Sequence, residues 1–162
     1  MQELIKKATF SRCREYRYAL KRYWDRDRPV VLFIALNPSI ADESTDDPTL
    51  KRCLSYARSW GYGGLSLGNL FSVVATDPKS LKSVDDPVGP ENDLWLKRLA
   101  SDANLIVAAW GNQGTYLDRA RRVSGMLDTL HCLKQNKSGQ PAHPLYQLAA
   151  LTPERFVYPQ LT

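Results

Sequence analysis

The chain has 162 residues with 22 Lys and Arg against 17 Asp and Glu, a net charge of +5, and its length suits one core of the roughly 100–200 residues that domains commonly hold. A composition 43 % hydrophobic and 24 % charged excludes wholesale disorder, collagen and coiled coil. No apolar run nears the ~18 residues of a membrane span, and Met1 to Lys7 leads into no signal-peptide core, so the expectation is one soluble, cytoplasmic α/β domain over residues 1–162.

Residues 1–40 hold the basic surplus, nine Lys and Arg against four acidic residues. A concentrated basic surface attracts phosphate. A solvated strand face and a nucleic-acid contact both account for it. Within this stretch Cys13 to Tyr23 alternates, with Arg14, Tyr16, Tyr18 and Leu20 on one side and Cys13, Glu15, Arg17, Ala19 and Lys21 on the other. That is the pattern of a half-buried strand.

After the turn-rich Asp25 to Pro29, the continuous apolar run Val30 to Leu36 reads as a strand covered on both faces. It ends at Asn37-Pro38-Ser39, because Pro38 cannot continue sheet pairing. Asp46 or Asp47 before Pro48 predicts a helix start, and Leu50, Cys53, Leu54, Ala57 and Trp60 share its apolar face up to Gly61. Leu65 to Phe71 is a second strand, and a strand-helix-strand unit favours a parallel sheet. Glu91 to Ala100 predicts another helix and Asn104 to Trp110 a third strand. Gly111 to Gly114 is a turn. Tyr116, Leu117, Ala120, Val123, Leu127 and Leu130 mark a further helix, His131 to Leu133 a short strand, and Lys137 to Pro144 a polar loop.

Three scattered cysteines, Cys13, Cys53 and Cys132, and two histidines, His131 and His143, give neither a zinc ribbon nor a disulfide framework. No metal and no cofactor are expected. Nucleophile-elbow, Walker and dinucleotide-binding patterns are missing, and Cys53 sits on an apolar helix face as a core residue.

Ligands of open parallel sheets gather beyond the carboxyl ends of the strands. Asn37-Pro38-Ser39, Asn69-Leu70-Phe71 and Trp110-Gly111-Asn112 reach that edge, and the loop through His143 is placed to join them. Two strands thus deliver asparagines, whose amides carry donors and an acceptor in one plane, which suits a nucleobase edge. Asn37 also suits capping of the turn before Pro38; Asp42, Glu43, Asp46 and Asp47 suit a general base or a metal, with helix capping the simpler account of Asp46 and Asp47. Trp110 and Phe71 serve either as core anchors or as stacking platforms.

Nearly the whole chain resembles a bacterial family catalogued as domain of unknown function sixteen-forty-three. The resemblance rests on Leu36-Asn37-Pro38-Ser39, Asp46-Asp47-Pro48-Thr49, Trp60 to Gly64, Asn69-Leu70-Phe71, Asp86 to Asp93, and Ser138-Gly139-Gln140-Pro141 with His143 to Tyr146. More distantly, the motif order is similar to the uracil-DNA glycosylase superfamily. In those enzymes an apolar-Asn-Pro-small loop positions the attacking water, here Asn37-Pro38-Ser39. A strand-terminal Asn reads the base, here Asn69. A late His-Pro loop stabilises the departing base and carries a wedge residue, here His143-Pro144 with Leu145 or Tyr146. The aspartate-bearing form of the first motif and the usual serine after the late proline are both missing.

The resemblance implies a three-layer α/β/α sandwich with a mainly parallel central sheet, uracil-DNA glycosylase-like, plus an N-terminal antiparallel strand or hairpin. It implies catalysis by Asn37 and His143, and because an amide cannot take the proton of the attacking water, Asp42, Asp46 or Asp47 is expected to assist. Pro38, Ser39, Asn69, Phe71, Trp110, Gly111, Asn112, Ser138, Gly139, Leu145 and Tyr146 would contact substrate, and Arg12, Arg14, Arg17 and Lys137 phosphate. The expected partner is a nucleobase, a nucleotide or a nucleic acid, with no membrane and no inferable protein partner. The expected activity is hydrolysis of an N-glycosidic bond, with a non-catalytic nucleotide- or nucleic-acid-binding module as the alternative.

Overall fold

In the computed structural model, which describes residues 4–160, strands β1 (Ile5–Phe10), β2 (Arg17–Tyr23), β3 (Val30–Ala35), β4 (Gly64–Asn69), β5 (Leu105–Ala108), β6 (Leu130–Cys132) and β7 (Glu154–Phe156) build one sheet. Its order is β1-β2-β4-β3-β5-β6-β7. Parallel pairing joins β4 to β3, β3 to β5 and β5 to β6. Antiparallel pairing joins β1 to β2, β2 to β4 and β6 to β7. The four central strands are therefore parallel as expected, with the N-terminal hairpin antiparallel beside them, and the antiparallel β7 at the other edge is the addition. Strands added at the flanks need no crossover helix, so the N-terminal hairpin and the short β7 attach antiparallel.

Helices α1 (Pro48–Ser59), α2 (Asn92–Asp102) and α3 (Arg119–Met126) cover both faces. The apolar run of β3 feeds two cores because successive side chains point to opposite sides. Val31, Phe33 and Ala35 pack with Leu50, Cys53, Tyr56 and Ala57 of α1. Leu32 and Ile34 pack with Leu96 and Leu99 of α2 and Ala120 and Val123 of α3. Burial pushes the Cys53 thiol up, which leaves it an inert core group. No helix of the described residues is long and apolar enough to cross a membrane.

The start of α1 matches its sequence signal, since the Asp47 side chain accepts a hydrogen bond from the Leu50 amide at 2.8 Å and Pro48 follows. Asp46 instead pairs with Arg22 at 3.0 Å. The helix expected from Tyr116 begins only at Arg119, because Leu117 and Asp118 adopt left-handed backbone (φ 53 and 57) after a 3-10 segment.

Gly68 lets α2 approach the sheet closely. A Cβ there would lie 2.9 Å from Leu96 Cδ2 and 3.3 Å from Leu99 Cδ1. Gly68→Ala is expected to lower stability by about 1–3 kcal/mol through overpacking, seen as a lower denaturant midpoint at unchanged slope.

Candidate functional site

Parallel pairing brings the carboxyl ends of β3, β4 and β5 to one edge. Ala35 faces Asn69 in register, and the ladder runs on through Leu70 N–H to the Ala35 carbonyl and Phe71 N–H to the Leu36 carbonyl. Asn37 therefore lies two residues beyond the position opposite Asn69 on the neighbouring strand. Beyond them opens a cavity of about 290 Å³ whose polar walls are Arg17, Asn37, Ser39, Asp47, Asn69 and His143. Thr49 and Leu145 also border it. The volume lies just below the roughly 300–1,000 Å³ of small-ligand sites.

The two asparagines and the histidine thus meet at one cavity, each held differently. Asn37 donates both amide hydrogens to backbone carbonyls, Pro38 at 3.0 Å and Ala75 at 2.8 Å. Two carbonyl acceptors on one atom fix which end of the amide is nitrogen. Asn69 is 2 % exposed, and its Oδ1 accepts from Arg17 Nη2 at 3.4 Å while Nδ2 has no partner. Its backbone carbonyl and that of Leu70 are held by Asn92 Nδ2, and Arg119 Nε adds a bond to the Leu70 carbonyl. The exit of β4 is therefore clamped by side chains of α2 and α3.

His143 accepts from the Leu145 amide at Nδ1, 3.2 Å away, so its proton sits on Nε2. Burial holds its pKa below the usual value, with Asp47 pulling the other way. At neutral pH it is an uncharged donor. Its loop is strapped to α1 and its C-cap residue at three points: Arg52 donates to the Gln147 carbonyl, Tyr56 to that of Leu148 at 2.8 Å, and the cap residue Trp60 to that of Leu151 at 3.0 Å. One helix therefore places both Asp47 and the imidazole. Behind His143, Gly111 holds φ +75, and a Cβ at that position would lie 3.7 Å from His143 Cβ.

Other expected residues lie elsewhere. Trp110 is 1 % exposed, donates to Gln140 Oε1 at 3.0 Å and meets Phe156 edge-on. Phe71 is buried against Tyr116. Both belong to the α2/α3 core, so neither can stack a ligand. Asp42 turns its carboxylate back onto the Ser44 and Thr45 amides, which hold its pKa down, and Asp46 is engaged by Arg22. Among the acidic candidates only Asp47 borders the cavity.

Pro38 contributes a carbonyl to the loop lock rather than a wall. Asn112 binds Ser138 Oγ at 2.7 Å and Asn136 Nδ2 at 3.0 Å, Gly139 takes φ +90 in the same turn, and these residues stand outside the cavity. Tyr146, beside Leu145, is 99 % exposed and left-handed at φ +67. Arg14 pairs with Glu43 at 3.2 Å, while Arg12 and Lys137 are exposed.

Arg17 is the largest departure, a buried wall residue in place of a surface phosphate contact. Desolvation lowers its pKa to about 10, so it stays charged at neutral pH. Sequence reasoning also missed a neighbouring groove of about 450 Å³ that shares Pro78 with the cavity and carries Lys79 and Lys82 beside Asn112.

A family model described as protein of unknown function (DUF1643) matches residues 17–145, a span that holds every polar wall residue of the cavity. No curated protein and no solved structure matched the chain.

Proposed function

As the chain belongs to this family of unknown function, its chemistry has to be read from the cavity, and we propose a nucleobase-recognising hydrolase that cleaves an N-glycosidic bond. The observation that carries the reading is the meeting of Asn37, Asn69, His143 and the carboxylate of Asp47 around a cavity sized for one flat heterocycle. The order of these loops along the chain, similar to that of the uracil-DNA glycosylase superfamily, supports it.

The base sits with an oxygen toward Nε2–H of His143. As the bond between the anomeric carbon and the ring nitrogen breaks, its electron pair leaves with the base, and negative charge grows on that oxygen. A donor fixed there helps chiefly in the transition state. A water held by Asn37 Oδ1 attacks the sugar, and its proton passes to Asp47, since an amide cannot take it. In a duplex the base must first be flipped out, and unstacking costs a few kcal/mol. Tyr146, projecting from the rim, fills the vacated space, and Arg12, Lys137, Lys79 and Lys82 contact the phosphates.

A second reading, binding without turnover, is favoured by one observation: both Asn37 amide hydrogens and one Asp47 oxygen are already committed to backbone groups.

Purified protein incubated with oligonucleotides and nucleosides bearing uracil, hypoxanthine or damaged bases is expected to release free base, read by chromatography. Salt-sensitive binding without release would leave the binding module in its place. No release from any substrate, with Asn37→Ala binding no differently from wild type, would overturn both.

A further inference from the structure

The protein has already consumed part of the hydrogen-bonding capacity of Asn37, His143, Asn69 and Arg17 at the cavity, and the remainder forms a pattern. Asn37, with both amide hydrogens given to carbonyls, keeps only its Oδ1 acceptor. His143, accepting at Nδ1, keeps only a donor. Asn69, whose Oδ1 faces Arg17 Nη2, keeps only the donors of Nδ2, which is buried and unpartnered. Turning that amide over would set it donor against donor with the guanidinium.

Arg17 completes the series. It is 2 % exposed, donates Nη1 to the Ala41 carbonyl at 2.9 Å, and leaves Nε buried without a partner. Among the described residues it forms no ion pair. Asp47 and Asp42 favour its charge and Arg22 opposes it. A buried cation with a spare donor is costly unless something negative comes to it.

The geometry points to Arg17 as a specificity-determining residue: by locking Asn69 and adding its own charge it makes the Arg17 and Asn69 side of the cavity donor-only, although Asn37 Oδ1 and Asp47 border the same cavity as acceptors, and this side selects oxo-substituted heterocycles able to carry negative charge there over amino-substituted ones. This rests on the nucleobase reading of the cavity and names its ligand class. An amino group facing Asn69 Nδ2 would leave donors opposed and unsatisfied, the condition under which polar sites discriminate most strongly.

Calorimetric titration of the full chain with free bases, compared within one ring size, tests this. Uracil is expected to bind roughly tenfold or more tighter than cytosine, and hypoxanthine and xanthine than adenine, with the more acidic xanthine ahead of hypoxanthine, about the effect of one unsatisfied buried donor. Arg17→Met should shrink each ratio to about threefold or less. Asn69→Ala, which leaves the Arg17 bond to Ala41 in place, should do the same and serves if Arg17→Met does not fold. Equal binding of oxo and amino bases by the wild type, or full discrimination kept by a folded variant, would overturn the role of Arg17 while leaving the nucleobase reading standing. Binding of no base would overturn that reading and this one together.

Discussion

His143→Ala is expected to slow release of the base by about 10²- to 10³-fold with little change in KM, the usual cost of removing one donor aimed at developing negative charge. The imidazole qualifies because Leu145 N–H occupies Nδ1 and directs the proton to Nε2, and because burial keeps it neutral. KM moves little if the bond strengthens only as charge forms. The same group makes a pH prediction. Its pKa is lowered in the folded chain, so the unfolded chain binds more protons between that value and the ordinary ~6.5. Stability from this site is therefore full above ~6.5 and is lost as pH falls through the folded value, where a proton on Nδ1 would oppose Leu145 N–H. Thermal melts from pH 8 to pH 5 should show a wild-type decline that is smaller in His143→Gln. Parallel profiles, or a wild-type rate untouched by His143→Ala, would remove His143 from the mechanism.

Asp47→Asn is expected to reduce the rate by about 10²- to 10⁴-fold, the range for loss of a positioned general base, while changing stability by less than about 1 kcal/mol. Asparagine caps a helix about as well as aspartate, so the bond to the Leu50 amide survives. The change separates two duties of one carboxylate: its cap stays and its proton acceptor goes. Single-turnover rates alongside melting curves give the readout. A normal rate in Asp47→Asn would mean that water is activated elsewhere, and a rate lost together with the fold would mean that capping is the residue's whole contribution.

Much of the architecture was legible because it rests on local rules. The run from Val30 is apolar at every position, rich in β-branched residues and bounded by Pro29 and Pro38, which fits a strand buried on both faces; Asp47-Pro48 is a cap followed by the residue best suited to a first turn. What escaped was short or non-local. β7 has three residues, Glu154–Phe156, too few for any period to show, and the late start of α3 depends on left-handed backbone at Leu117 and Asp118 that no apolar spacing signals.

At the cavity the split is sharper. The sequence alone placed Asn37 after β3, Asn69 at the end of β4, and His143 in a proline-flanked loop, since strand ends and loops follow from local pattern. Only tertiary structure decided which of the remaining residues face them. Just past β5, the alternation continues and sends Ala109 toward α1 and Trp110 into the opposite core, so Trp110 cannot reach the α1 side where Asp47 lies. Along β2 the register shifts so that Thr9 faces Ala19 but Phe10 faces Arg17, leaving Tyr18 as an extra residue. Such a bulge reverses the alternation, and Arg17, which strict period two groups with Ala19, instead meets Asn69. A bulge is fixed by pairing with a neighbouring strand, and no single stretch of chain contains that partner.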